Sequence, residues 1–87
     1  MIERYQIIVS KSAQKEIRKL HKPDLEKVLS SIQSLSENPR PFGYKKLVAS
    51  KNINRIRIGD YRVLYLIEDT IRIVEISAVK HRREAYE

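Results

Sequence analysis

The sequence predicts one α+β domain, a small antiparallel sheet with an N-terminal helix hairpin packed on one face, in the order β-α-α-β-β-β. Three observations carry this prediction. Apolar residues recur with helical spacing in the first half of the chain and with strand spacing in the second. Short turn signals separate the later apolar segments. A length of 87 residues suits a single unit, residues 1–87, with no internal repeat or low-complexity tract.

The elements follow in order. Tyr5, Gln6, Ile7, Ile8 and Val9 form a short run rich in β-branched residues and read as a strand. Ser10 or Ser12 then caps a helix, because a serine hydroxyl accepts from first-turn amides that have no carbonyl partner. Ala13, Ile17 and Leu20 lie on one face of that helix, which is expected to end near His21 and Lys22. Pro23 suits the first turn of a second helix, where its missing N–H is not needed, and Asp24 complements the positive helix end. Leu25, Val28, Leu29, Ile32 and Leu35 trace its apolar stripe. Asn38 and Pro39 stop it, and Pro41 and Gly43 keep the next segment irregular.

Beyond that loop the period becomes two. Arg55 and Arg57 alternate with Ile56 and Ile58, so both guanidinium groups share one face of a strand. Gly59 and Asp60 supply a turn, and residues 61–67 are apolar on both faces apart from Arg62, as in a central strand. Glu68 and Asp69 make another turn before a third strand over residues 70–79. Turns this tight require the three strands to be antiparallel neighbours.

Composition excludes several function classes. An apolar fraction of 41% with 33% charged residues fits a folded soluble chain. A domain of this size buries only a little over ~60% of its unfolded surface, so its core is thin and no cofactor is expected. Without cysteine there is neither a disulfide framework nor a thiolate zinc site. Two histidines, His21 and His81, far apart in sequence, argue against a histidine metal site. Gly43 and Gly59 cannot build a phosphate-cradling loop. The longest apolar run, residues 63–67, is far short of the ~20 residues of a membrane helix. The opening residues 1–5 lack the apolar stretch of a secretory signal, and the expected location is the cytoplasm.

Charge carries more information. The net charge is +7, and the excess is concentrated: residues 40–62 hold seven Lys or Arg against Asp60 alone. Such a stretch suits a polyanion, the plain alternative being a solvated basic surface. Arg62 stands out, since a charge inside an apolar strand is costly unless it is paired or faces an open site. Glu68 and Glu75 are the carboxylates weighed as its partners. With Arg55 and Arg57 on the neighbouring strand, three guanidinium groups gather, each able to grip phosphate oxygens with paired planar N–H donors. The tail adds Lys80, His81, Arg82, Arg83 and Tyr86: an imidazole, a phenol and further cations, either solvated or folded back beside Arg62. RNA brings its own nucleophile, the 2′-hydroxyl beside the phosphate it attacks. A protein that cuts it needs a charge stabiliser, a proton acceptor, a proton donor and in-line geometry. Rival motifs are weak: no Gly-x-Ser-x-Gly turn surrounds Ser77, and Glu68 and Asp69 sit in a turn.

Taken in order, Asn38-Pro39-Arg40-Pro41, Lys45-Lys46-Leu47, Arg55-Ile56-Arg57-Ile58-Gly59-Asp60-Tyr61-Arg62-Val63-Leu64-Tyr65, Ile76-Ser77 and His81-Arg82-Arg83-Glu84-Ala85-Tyr86 resemble the RelE/ParE superfamily of bacterial toxins. The resemblance spans nearly the whole chain. It implies a ribosome-dependent endoribonuclease of the RelE kind that cuts mRNA in the A site, held inactive in a hetero-oligomer with a cognate antitoxin. By the same resemblance, Arg62 stabilises the scissile phosphate, and Arg57 and Arg55 contact phosphate and assist the 2′-hydroxyl. His81 donates a proton or binds phosphate, and Tyr86 orients or stacks on a base. Lys45, Lys46, Arg82 and Arg83 complete the substrate-binding set. Two departures stand out. Lys80 occupies a position that is commonly glycine, and residues 40–59 contain no carboxylate to serve as general base, so the base is unassigned: either His81 takes that role with Tyr86 as the acid, or a phosphate-bound 2′-hydroxyl needs little help. The alternative is a ParE-like protein that binds DNA gyrase and cuts no RNA.

Overall fold

The computed structural model describes residues 4–47 and 52–84. Seven elements follow one another: β1 (Gln6–Val9), α1 (Lys11–Arg18), α2 (Asp24–Ser34), β2 (Lys45–Lys46), β3 (Asn54–Ile58), β4 (Tyr61–Glu68) and β5 (Ile73–His81). They build a five-stranded sheet in the order β1-β5-β4-β3-β2. The α+β reading and the order of its main elements hold. Two details differ from the expected wholly antiparallel sheet. β1 runs parallel to β5, a long-range pairing with no local turn to announce it, which makes the sheet mixed. Lys45 and Lys46, expected in an irregular segment, form a short edge strand opposite Arg55 and Asn54.

Ser10 caps α1, its Oγ accepting from the Ala13 N–H at 3.1 Å. The helix ends at Arg18, earlier than its apolar spacing suggests. The amides of Lys19 and Leu20 already bond three residues back, and the residue before Pro23 is biased away from helical geometry. α2 starts after Pro23 and buries Val28 and Ile32, with Leu35 buried just beyond its end. Leu29, expected in the same stripe, is 45% exposed at the groove beside Val9, Ile17 and Arg18. α1 packs on β5, and α2 lies across β3 and β4. Between helices and sheet sits one core: Ala13, Val28, Ile32, Leu35, Ile56, Val63, Tyr65, Val74, Ile76 and Val79. β4 is central, flanked by β3 and β5, as its two-sided apolarity requires.

One irregularity governs the rest. Leu64 pairs with Ala78 but Tyr65 pairs with Ile76, so Ser77 is an extra residue in β5, a β-bulge. Before it, the buried residues are Val74 and Ile76; after it, Val79. Strand side chains alternate faces, so the bulge shifts the inward set from even to odd positions. The Ser77 carbonyl accepts from Ser10 Oγ at 3.1 Å, which ties the bulge to the cap of α1.

The loop after α2 is tied down from both sides. Tyr65, fully buried, donates from its hydroxyl to the Pro39 carbonyl at 2.7 Å. Burial pushes its phenol well above the usual value. Asp69, in the β4–β5 turn, accepts from Arg40 at 2.8 and 3.2 Å and from the Tyr5 hydroxyl at 2.6 Å. The Arg40 bond, then the Tyr5 bond, hold the Asp69 carboxyl down at about 2. Arg72 closes this turn at φ 57°, with its guanidinium carbon 5.3 Å from the centre of the Tyr5 ring. That left-handed backbone delays β5 to Ile73, three residues later than the sequence pattern suggests.

Candidate functional site

The sheet has a helix-covered face and a face that gathers cations. In β3, Asn54, Ile56 and Ile58 turn toward the helices, which leaves Arg55 and Arg57 on the other side. Residues opposite one another in paired strands share a face, with Cβ atoms ~4.5–5.5 Å apart. Arg57 stands opposite Arg62, and Arg62 opposite Lys80, giving a row of three cations across β3, β4 and β5. Lys45 stands opposite Arg55 in the next row. Lys46, opposite Asn54, turns the other way.

These cations differ in access. Arg57 is exposed, Arg62 is half-buried, and Arg55 is only 3% exposed. Burial first, then the positive charges of Arg57 and Arg62, push the Arg55 pKa below the usual arginine value. Arg55 therefore supports the row from within rather than presenting an open surface. Glu75 pairs opposite Leu66, four residues along β4 from Arg62, and Glu68 lies six residues along the same strand. At ~3.3 Å per residue the backbones of both acidic residues lie more than ~10 Å from that of Arg62, toward the far end of the sheet.

The tail forms a defined turn. Residues 81–84 are fixed by the Glu84 N–H donating to the His81 carbonyl at 2.7 Å and the His81 N–H donating to Glu84 Oε1 at 3.2 Å. The Arg82 N–H donates to the Asp60 carbonyl at 2.7 Å, and its side chain lies 3.7 Å from the Asp60 carboxylate. Arg83 is exposed, and its backbone N–H donates to His81 Nδ1 at 3.2 Å. That bond occupies Nδ1 and leaves Nε2 as the ring atom for a further partner. The ring meets Tyr61 edge-on, centroids 5.3 Å apart and planes at 85°. Leu20, Tyr61, Lys80, His81 and Glu84 help to line a cavity of about 310 Å³ at this end of the molecule.

One reading of the sequence folds the tail back so that His81 and Tyr86 stand beside Arg62. The register instead brings Arg57, Arg62 and Lys80 together and places His81 opposite Tyr61, on the helix side of β5. The Ser77 bulge breaks the alternation that Val74 and Ile76 begin, and Lys80 rather than His81 pairs with Arg62. Tyr86 lies outside the described residues. Lys80, read in the sequence as one of the tail cations and as a replacement for glycine, belongs instead to β5, in register with Arg62. Its signal was available in the buried positions 74, 76 and 79, whose uneven spacing betrays the bulge. A second cavity, about 620 Å³, runs between the end of α2 and the β3 edge, lined by Leu35, Pro41, Phe42, Ile56, Arg57 and Ile58. With Ser31, Ser34, Glu37 and Asn38 also on its wall, it sets a groove of mixed polarity next to the exposed Arg57.

A two-helix layer over a small mixed sheet whose other face gathers arginines defines a two-layer α+β domain. Residues 7–86 match the family described as the ParE toxin of type II toxin–antitoxin systems, ParDE. The chain is 31% identical over 86 residues to the RelE1 chain of Methanocaldococcus jannaschii, covering 95% of this chain and 96% of that one. Among solved structures, the RelE–RelB complex of Pyrococcus horikoshii matches with a TM-score of 0.80 at 28% identity, over 98% of this chain and 100% of that chain. The toxin–antitoxin complex RelBE2 of Mycobacterium tuberculosis matches with a TM-score of 0.80 at 30% identity, over 91% and 99%. The chain belongs to the RelE/ParE superfamily and is a toxin of a type II toxin–antitoxin system. Among the described residues no helix is long and apolar enough to cross a membrane.

Proposed function

We propose that this toxin is an endoribonuclease of the RelE kind that cuts mRNA in the ribosomal A site through attack of the 2′-hydroxyl on the adjacent phosphate. The observation that carries the reading is the placement of Arg57 opposite Arg62 on paired strands, with Arg55 and Lys45 in the adjacent row; Lys80, next in register, is ion-paired with Glu16. Guanidinium groups set side by side on paired strands offer planar paired donors that match phosphate oxygens, which supports the reading. Arg62 and Arg57 hold the two non-bridging oxygens of the scissile phosphate, and their fixed charge stabilises the extra negative charge of the transition state. Arg55 backs this pair from its buried position. Lys45, Lys46, Arg82 and Arg83 engage neighbouring phosphates. His81 and Tyr86 are the residues proposed to share the acid and base roles. The nucleophile belongs to the substrate, and the proposed steps use no cofactor.

The antitoxin-bound relatives from Pyrococcus horikoshii and Mycobacterium tuberculosis support a cognate antitoxin as the partner in a hetero-oligomer. A ribosomal substrate in turn implies action in the cytoplasm.

Two observations favour a second reading, a ParE-like toxin that binds DNA gyrase without cutting RNA: the match to the ParE toxin family, and the placement of His81 on the helix side. One experiment separates them. Purified toxin is added to ribosomes carrying a defined mRNA, new 5′ ends are mapped, and a parallel reaction follows gyrase–DNA complexes. Cuts confined to A-site codons support the nuclease; intact mRNA with trapped gyrase supports the alternative.

A further inference from the structure

We propose that Glu16 is a positioning residue: its carboxylate stands in for a neighbouring strand along the end of β5 and thereby fixes the turn that carries His81 and the tail. The inference deepens the proposed nuclease reading and rests on it for its catalytic arm alone.

The need arises from the sheet itself. β1 accompanies β5 only as far as the pairing of Val9 with Ile76. Among the described residues no strand lies beside that side of β5 from Ser77 onward, so its backbone groups there have no ladder to join. Side chains from the segment after β1 take over. Ser10 Oγ donates to the Ser77 carbonyl at 3.1 Å. Further along α1, Glu16 Oε1 accepts from the Val79 N–H at 2.8 Å, and its other oxygen forms an ion pair with Lys80 Nζ. The Glu16 side chain is only 20% exposed, so little water competes for these bonds.

Two effects follow. Val79 and Lys80 immediately precede His81, and anchoring their backbone sets where the 81–84 turn begins. The Lys80 ammonium, third in the cation row by register, is held charged by its bond to Glu16 and drawn toward the sheet edge. Glu16 therefore governs both the base of the tail and the share of Lys80 charge that reaches the arginines. A misplacement of about 1 Å at such a site can cost on the order of 100-fold in rate.

The test compares Glu16→Ala, which removes both contacts, with Glu16→Gln, which keeps an oxygen for the Val79 N–H and loses the charge facing Lys80. Hydrogen exchange is read at Val79 and at Val74, which lies where β5 is paired on both sides. Single-turnover and steady-state cleavage on programmed ribosomes are measured in parallel. In Glu16→Ala, exchange at Val79 should quicken about tenfold with Val74 unchanged, while Glu16→Gln stays within about threefold of wild type. Cleavage by Glu16→Ala should lose about tenfold in kcat with KM for the ribosome complex unchanged, and Glu16→Gln should recover most of that loss. Equal acceleration at Val79 and Val74 in both variants overturns the inference, because Glu16 would then support only global stability. Wild-type cleavage by Glu16→Ala overturns it as well. If the wild-type toxin leaves mRNA intact, the nuclease reading fails, and the exchange comparison by itself decides the role of Glu16.

Discussion

Arg62→Ala is the perturbation that bears most directly on the proposed chemistry. Arg62 is half-buried in the central strand, with Arg57 opposite on one side and Lys80 on the other. Its side chain is thus held by a strand that cannot shift without breaking two ladders. A preorganised donor at a developing negative charge is worth roughly 2.7–4 kcal/mol. Partial exposure places Arg62 at the lower end, and ~2.7 kcal/mol corresponds to about a 100-fold loss of rate. Arg62→Lys should recover only part of this, because an ammonium cannot present the paired planar donors of a guanidinium. The double variant with Arg57→Ala should lose less than the product of the two single losses, since both groups grip one phosphate. Single-turnover cleavage of mRNA on programmed ribosomes reads the rate, and sedimentation with ribosomes reads binding, which should change little. An Arg62→Ala toxin that cuts at the wild-type rate would remove this residue from the site and with it the argument for the cation row.

Three further outcomes follow from the geometry. Tyr65→Phe keeps the buried ring but strips the Pro39 carbonyl of its donor, and should lower Tm by roughly 5–15 °C in thermal unfolding. Asp69, depressed to about 2 by Arg40 and Tyr5, contributes stability that is full above the ordinary carboxylate value of 3.8 and is lost as pH falls through about 2. Asp69→Asn should therefore flatten the acid limb of a stability–pH curve between those values; an unchanged limb would mean that another group controls it. Ribosome association should weaken steeply with added salt, and replacing Arg57 or Lys45 with Gln should each reduce the log–log slope by about one. A slope that ignores both changes would place the RNA contact elsewhere.

The cation face was legible because it depends on strand alternation alone: Arg55 and Arg57 flank Ile56, and the Gly59–Asp60 turn folds Arg62 back against them. The buried stripe of α2 was equally plain in Val28, Ile32 and Leu35, whose spacing needs no tertiary information. Other features depend on contacts distant in sequence. Nothing near Ile7 announces a parallel partner at Val74, and nothing in Lys45 and Lys46 announces pairing with Arg55 and Asn54. Arg55 reads as an exposed cation because its type is usually exposed, yet its neighbours bury it. The place of His81 was lost for a subtler reason. Strict alternation along β5 fails at one residue, and every face assignment beyond it reverses.

That extra serine bends the last strand without deciding which of its later residues meet β4. Deleting Ser77 would remove the bulge yet keep Ala78, Val79, Lys80 and His81 opposite Leu64, Val63, Arg62 and Tyr61. What the added residue supplies is therefore local twist, together with a carbonyl within reach of the Ser10 hydroxyl, so that shortening the strand by one would loosen its tie to the first helix while leaving the same side chains on each face.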